Sequence, residues 1–124
     1  MDSRESPADH ALRGRRYIAY ARCAAVEGSE RKLREQIRLI RQFADRLGMQ
    51  CVDEVRLAGV SGWRPVMRAD LRKLLARKRE KDDYDVLIVT DVARLTRTGL
   101  EGLMEIEAEF GGGVRIVYLV EASG

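Results

Sequence analysis

Arg22, Arg94 and Arg97 stand just after two short apolar runs, Tyr17 to Ala21 and Val86 to Thr90, and Arg68 follows a glycine-containing loop that itself holds Arg64. A guanidinium is planar, permanently charged and carries a fork of N–H donors whose spacing matches phosphate oxygens. Several of them converging on one point would hold a phosphate and stabilise the charge that builds on it during transfer. Transfer also needs a nucleophile. Two residues past Arg22 stands Ala24, a methyl group, and the nearby hydroxyls belong to Ser29 and Ser61. Ser29 reads as the N-cap of the next helix, and Ser61 as a turn residue beside Gly62. Cys23 is adjacent to Ala24, so in extended chain its side chain points to the opposite face.

The elements that must position these groups alternate along the chain. A first strand is expected over Arg16 to Ala21. A helix from Ser29 follows, with Leu33, Ile37, Ile40, Ala44 and Leu47 at helical spacing and Gly48 as its stop. Gln50 to Arg56 reads as a second strand, Ala58 to Pro65 as a mobile loop, and Met67, Leu71, Leu74 and Leu75 as a second helix that ends in the charged stretch Arg77 to Asp83. Tyr84 to Thr90 is apolar enough for burial on both faces. A third helix is expected over Thr98 to Phe110 with Leu100, Leu103, Met104 and Ala108 inward. Gly111-Gly112-Gly113 ends it before a last strand, Val114 to Val120. Strands and helices in this alternation give an α/β fold of three layers, with a mainly parallel four- to five-stranded sheet and helices on both faces. Ligands bind such sheets outside the carboxyl ends of the strands, where all the singled-out arginines fall.

Composition bounds the function further. The chain has 124 residues, enough for one domain, with 35% charged residues and a net charge of +3, which permits nucleic-acid contact without demanding it. No apolar run approaches the roughly 20 residues of a membrane span. Residues 1–15 read as a disordered polar tail without a secretory signal, which points to a cytoplasmic protein. The single histidine, His10, and the two cysteines, Cys23 and Cys51, lack metal-ligand spacing, so reduced thiols, no metal and no cofactor are expected. Arginines inside the helices, from Arg31 to Arg46 and from Arg72 to Arg79, read as solvated surface. A phosphorylated receiver domain would need an acidic pair after the first strand, where this chain has Arg22.

Four motifs occur in order: Tyr20-Ala21-Arg22-Cys23-Ala24, Gly59-Val60-Ser61-Gly62, Arg68-Ala69-Asp70-Leu71 and Ala93-Arg94-Leu95-Thr96-Arg97. In sequence and spacing they resemble the catalytic domain of serine recombinases, the family of resolvases, invertases and large serine integrases. The resemblance covers about Tyr17 to Glu121 and implies DNA recombination and integration chemistry, in which a serine attacks a phosphodiester and becomes linked to the 5′ phosphate. Ala24 occupies that serine's position. The resemblance assigns Arg22, Arg68, Arg94 and Arg97 to the phosphate, with Arg64 beside them, Ser61 to the second serine of the mobile loop, and Gln36 to a glutamine of the first helix. Ala93 replaces an aspartate of the family motif, and Gly28 a glutamine.

The resemblance therefore implies a degenerate recombinase domain, a pseudoenzyme that retains the holding arginines. The loss of a nucleophile lowers turnover by about a million-fold in a well-studied protease. Two alternatives stand beside it: an active recombinase subunit using another nucleophile, and a non-catalytic regulator that binds a recombinase. Residues 16–124 would form the resolvase-like domain, ending before the long dimer helix and DNA-binding region of the family. The expected partners are DNA, bound weakly through its phosphates at about 10⁻⁴ to 10⁻⁶ M, and a second copy or another recombinase.

Overall fold

Alternation along the first strand decides how the sheet is built. In β1 (Arg16–Cys23) the side chains of Tyr17, Ala19, Ala21 and Cys23 join one apolar cluster, and Ile18 and Tyr20 join another on the opposite face. Every residue from Tyr17 to Cys23 is buried, the pattern of a central strand covered on both sides. The computed structural model of the chain describes residues 6–63 and 65–120. In it β1 lies between β2 (Gln50–Ala58) and β3 (Val86–Val89), and β4 (Arg115–Tyr118) lies outside β3. The order is β2-β1-β3-β4, and all three pairings are parallel.

Helix α2 (Ser29–Arg46) covers one face through Leu33, Ile37, Ile40 and Ala44, which pack on Tyr17, Ala19, Ala21, Val86 and Ile88. Helices α3 (Ala69–Glu80) and α5 (Gly99–Phe110) cover the other through Leu71, Leu74, Leu75, Ile106 and Phe110, against Ile18, Tyr20, Leu87 and Val89. Burying each such side chain contributes about 1.5–3 kcal/mol relative to leaving it in water, so the two cores supply the main cohesion of the three layers. A one-turn helix, α4 (Val92–Leu95), follows β3 and drives Leu95 into the second core. The fold class expected from the alternating elements is the one observed.

The amino ends of the strands are pinned by charge. Arg16 donates Nε and Nη2 to the two carboxylate oxygens of Asp85, both at 2.9 Å. The Arg16 hydrogen bonds hold the Asp85 carboxyl below its ordinary range, at about 2. Parallel strands share no tight turn, so cross-chain pins of this kind help set which residues start together.

Several local expectations are corrected. Residues 1–5 lie outside the described residues, but from Pro7 to His10 the supposed tail is a helical turn, α1, capped by the Ser6 side chain, and Leu12 is buried under α2. The N-cap of α2 is Gly28 in a left-handed conformation, φ 74°, and Ser29 is already helical, so the hydroxyl proposed as a cap makes no cap bond. Helix α3 ends inside the charged stretch as expected, at Glu80, with Arg77 hydrogen-bonded to Asp83 and Asp53 across its end. In α5 the inward face is Gly102, Ile106 and Phe110, with Leu103 partly buried, while Leu100, Met104 and Ala108 face out. Gly102 lies against the Thr98 side chain at the start of the same helix, where a Cβ would collide. β3 and β4 are each four residues, shorter than the expected Tyr84 to Thr90 and Val114 to Val120.

Candidate phosphate-binding site

The arginines meet at the carboxyl end of the sheet, and they do so in three different ways. Arg22 is almost sealed, at 1% exposure, and its guanidinium is spent on backbone. Nε donates to the Arg94 carbonyl at 2.8 Å, Nη1 to the Val60 carbonyl at 2.6 Å, and Nη2 to the Ala93 carbonyl at 2.5 Å. It thus ties the loop after β2 to the α4 turn. Gln36 of α2 holds the same residue from the other side, accepting from the Arg22 N–H at 3.1 Å and donating to its carbonyl at 3.0 Å. Burial first, then the charges of Arg68, Arg94 and Arg97, lowers the pKa of Arg22 from its ordinary value. The four cations are therefore electrostatic neighbours, as the strand-mouth rule predicts.

Gly62 makes that packing feasible. A Cβ at this position would lie 2.5 Å from Arg22 Nη2, 2.8 Å from its Cζ and 3.2 Å from Arg97 Cγ. The Gly62 carbonyl accepts from the Arg97 backbone N–H at 2.7 Å, so the loop expected to be mobile is latched to the segment after α4. Ser61 in this loop is exposed, and its hydroxyl accepts from the Trp63 N–H at 3.1 Å, the turn role expected for it. Arg64 lies outside the described residues.

Arg68 is also buried, at 5% exposure, but two of its three partners are side chains. Nε donates to Asp70 Oδ1 at 3.1 Å, and Nη2 donates to the Tyr20 hydroxyl at 2.6 Å and to the Leu95 carbonyl at 3.0 Å. The Tyr20 hydroxyl in turn donates to Asp70 Oδ2 at 2.6 Å. Burial, followed by the Asp70 charge, raises the Tyr20 pKa well above its ordinary value, so it remains a neutral donor. Nη1 of Arg68 is buried without a hydrogen-bond partner among the described residues.

Arg94 and Arg97 reach outward. Arg97 is exposed, and Arg94 is half-buried with Nε 3.9 Å from Asp91 Oδ2, an ion pair too long to be a hydrogen bond. A cleft of about 680 Å³ opens beside them, lined by Arg94, Asp91, Thr90, Gln36, Lys32 and Arg31 among others. Arg31, read from sequence as plain surface, thus contributes to the same cationic mouth. Ala24 is exposed just beyond β1, and Cys23, on the α2 side, is buried. Cys51 pairs with Tyr17 at the other end of β1, so the two thiols lie far apart along the sheet.

Two groups were missed by reading residues singly. Tyr20 sits in an apolar run and looks like core; its hydroxyl has a purpose only because Asp70 and Arg68, 50 and 48 residues on, are brought to it. Asp70 pairs with Arg68, and Asp91 is the carboxylate beside Arg94.

An all-parallel β2-β1-β3-β4 sheet between α2 and the α3/α5 pair, with arginines gathered at its carboxyl end, defines a catalytic-domain fold of the recombinase type. The chain belongs to the family described as Resolvase, N terminal domain, whose model matches residues 17–123. Among solved structures, it is similar to the C-terminal catalytic domain of ISC1926 TnpA, an IS607-like serine recombinase. That similarity has 27% identity and a TM-score of 0.68, over 87% of this chain and 72% of the other. The corresponding domain of IS1535 TnpA, also IS607-like, is 28% identical with a TM-score of 0.58, over 86% and 72% of the two chains. The N-terminal catalytic domain of TP901-1 integrase shares the fold at 24% identity and a TM-score of 0.69, over 84% of this chain and 77% of its own. No curated protein matches the sequence. No helix among the described residues is long and apolar enough to cross a membrane.

Proposed function

We infer that this chain is a serine-recombinase catalytic-like domain that holds DNA phosphate but does not form the phosphoserine link. The observation that carries this reading is the side chain at the mouth of β1: Ala24 is exposed, two residues past the buried Arg22, and is a methyl group. A methyl group cannot attack phosphorus or carry the covalent intermediate. The two serines weighed as substitutes have other settings, Ser29 inside the first turn of α2 and Ser61 in a turn with Trp63. Ala93 offers no carboxylate beside Arg94, and its carbonyl receives Arg22. In this reading Arg68, Arg94 and Arg97 face the phosphate, while Arg22 and Gln36 brace the site.

Supercoiled plasmid incubated with the protein and quenched with detergent tests the reading. No covalent protein–DNA adduct is expected from the natural sequence, and weak binding should fall steeply with salt. Ala24→Ser, alone and with Ala93→Asp, restores the groups that the family motif carries at these positions. An adduct formed by the unsubstituted chain, mapped to a phosphorylated residue by mass spectrometry, would overturn the inference and favour an active subunit with another nucleophile.

A second reading, a non-catalytic partner of another recombinase, draws on α5. Leu100 and Met104 are 72% and 60% exposed and stand one helical turn apart. Sedimentation of the chain alone and with a co-encoded recombinase distinguishes the two: a monomer under both conditions removes this reading.

A further inference from the structure

We propose that Asp70 is the positioning residue of the phosphate site, holding Arg68 both directly and through Tyr20 and leaving Nη1 as the donor pair for a phosphate oxygen. The proposal rests on the reading above in taking phosphate as the ligand. It adds which arginine is reserved for it, by which atoms, and what holds that arginine still.

Arg22 and Arg68 each make three side-chain hydrogen bonds, and what separates them is that both leftover donors of Arg68 lie on one nitrogen. A guanidinium has five N–H bonds: one on Nε and two on each Nη. In Arg22 all three nitrogens already donate to carbonyls, to Arg94, Val60 and Ala93. In Arg68 the single Nε donor goes to Asp70, and the two Nη2 donors go to Tyr20 and Leu95. Both Nη1 donors remain, in a side chain that is only 6% exposed, with no acceptor among the described residues. An unpaired buried donor is costly, and most such groups in native proteins are paired. Arg68 bears that cost because Asp70 and Tyr20 hold the rest of the fork in a closed ring of three hydrogen bonds of 2.6 to 3.1 Å. A flexible arginine would turn its free edge to any available carbonyl. A clamped one cannot.

The surroundings suit an anion rather than another carbonyl. Arg68 is the N-cap of α3, a 12-residue helix with no side-chain cap bond, so the positive end of the helix lies beside the guanidinium. Arg68 lines a second cleft, of about 540 Å³, which Lys73 also lines, together with Arg77, whose guanidinium is paired with Asp83 and Asp53. Asp70 also lines this cleft, yet it faces Arg68 and Tyr20 with both of its oxygens, so its charge is engaged by the clamp.

The test uses Asp70→Asn, Tyr20→Phe and Arg68→Ala in the full chain, with a short labelled DNA duplex followed by anisotropy across a salt series. A carboxylate near DNA repels it, so removing one through a purely electrostatic role would tighten binding. Positioning demands the reverse: Asp70→Asn should weaken binding by about fivefold and lower the slope of log K against log salt by about 0.9, as Arg68→Ala does. The double variant should bind no worse than Arg68→Ala, because both act through one contact. Side-chain nitrogen NMR supplies a second readout, in which inorganic phosphate should shift the Arg68 guanidinium signals in the natural sequence and not in Asp70→Asn.

Tighter or unchanged DNA binding in Asp70→Asn, additivity with Arg68→Ala, or a phosphate shift at Arg68 that survives the substitution would each overturn the proposal. If DNA fails to bind at all while phosphate still shifts Arg68 only when Asp70 is present, the recombinase-type reading fails and the positioning role stands. Silence at Arg68 toward phosphate defeats the positioning role whatever the DNA result.

Discussion

The two ends of β1 carry the same side chain, six residues apart, in opposite circumstances. At the amino end Arg16 forms a two-pronged pair with Asp85, and Lys78 hydrogen-bonds to Asp82 and Asp85 nearby. At the carboxyl end Arg22 is buried among three other arginines and bonds to carbonyls alone. Pairing with carboxylates neutralises the amino end; at the carboxyl end Arg68 pairs with Asp70 and Arg94 stands beside Asp91, while Arg22 and Arg97 have no carboxylate partner among the described residues and leave that end with excess positive charge. A site that must hold an anion needs unneutralised charge, and burial against backbone carbonyls keeps it in place without cancelling it.

The sharpest way to break this contrast is to remove Arg22. Arg22→Ala leaves three carbonyls without their donor and separates the loop after β2 from α4. The expected loss is about 3 kcal/mol or more in urea unfolding. A loss within the scatter of surface substitutions would mean that the carboxyl end is not braced by this residue.

Gly62→Ala attacks the same brace from outside by placing a methyl group 2.5 Å from Arg22 Nη2. Overpacking of this kind costs about 1–3 kcal/mol, read as a lowered denaturation midpoint with an unchanged m-value. Retained stability would show that the loop can retreat from Arg22 without penalty.

DNA binding then separates the two ends. Arg94→Ala and Arg97→Ala should each lower the salt slope by about 0.9, whereas Arg16→Ala, at the neutralised end, should leave it unchanged. An equal drop for Arg16→Ala would show that general charge, not the strand mouth, attracts the polyanion.

The smallest effect is confined to acid. The folded pKa of Asp85, about 2, lies below its unfolded value near 3.9, so its contribution is present above the unfolded value and disappears as pH falls through the folded one. Stability of the natural sequence should therefore decline between about pH 4 and pH 2 more steeply than that of Asp85→Asn. Parallel acid-unfolding curves would remove the pin from the amino end.

The elements were legible because burial has a period. The unbroken apolar runs Tyr17 to Ala21 and Val86 to Val89 mark buried parallel strands, and Leu33, Ile37, Ile40 and Ala44 mark the inner face of α2. Where composition was ambiguous, the reading slipped. The leucines of α5 suggested one inward face, but the buried face is Gly102, Ile106 and Phe110. Ser29 has the chemistry of a cap, yet Gly28 takes the left-handed turn that only a residue without Cβ adopts cheaply, and the helix starts at Ser29 itself, one residue earlier than a Ser29 cap would place it. At the site, the arginines were legible as a group and their tasks were not.

What the sequence determined by itself is the three-layer parallel fold, the collection of arginines at its strand mouths, and the methyl group at position 24. Each follows from local pattern, period, or residue identity. Only the tertiary structure decided that Arg22 is consumed by carbonyls while Arg68 keeps a free donor pair. The acceptors lie 38, 71 and 72 residues from Arg22, and Tyr20 lies 48 from Arg68. A hydrogen bond forms only within about 3 Å, and nothing in a linear chain says which distant carbonyl will arrive at that distance.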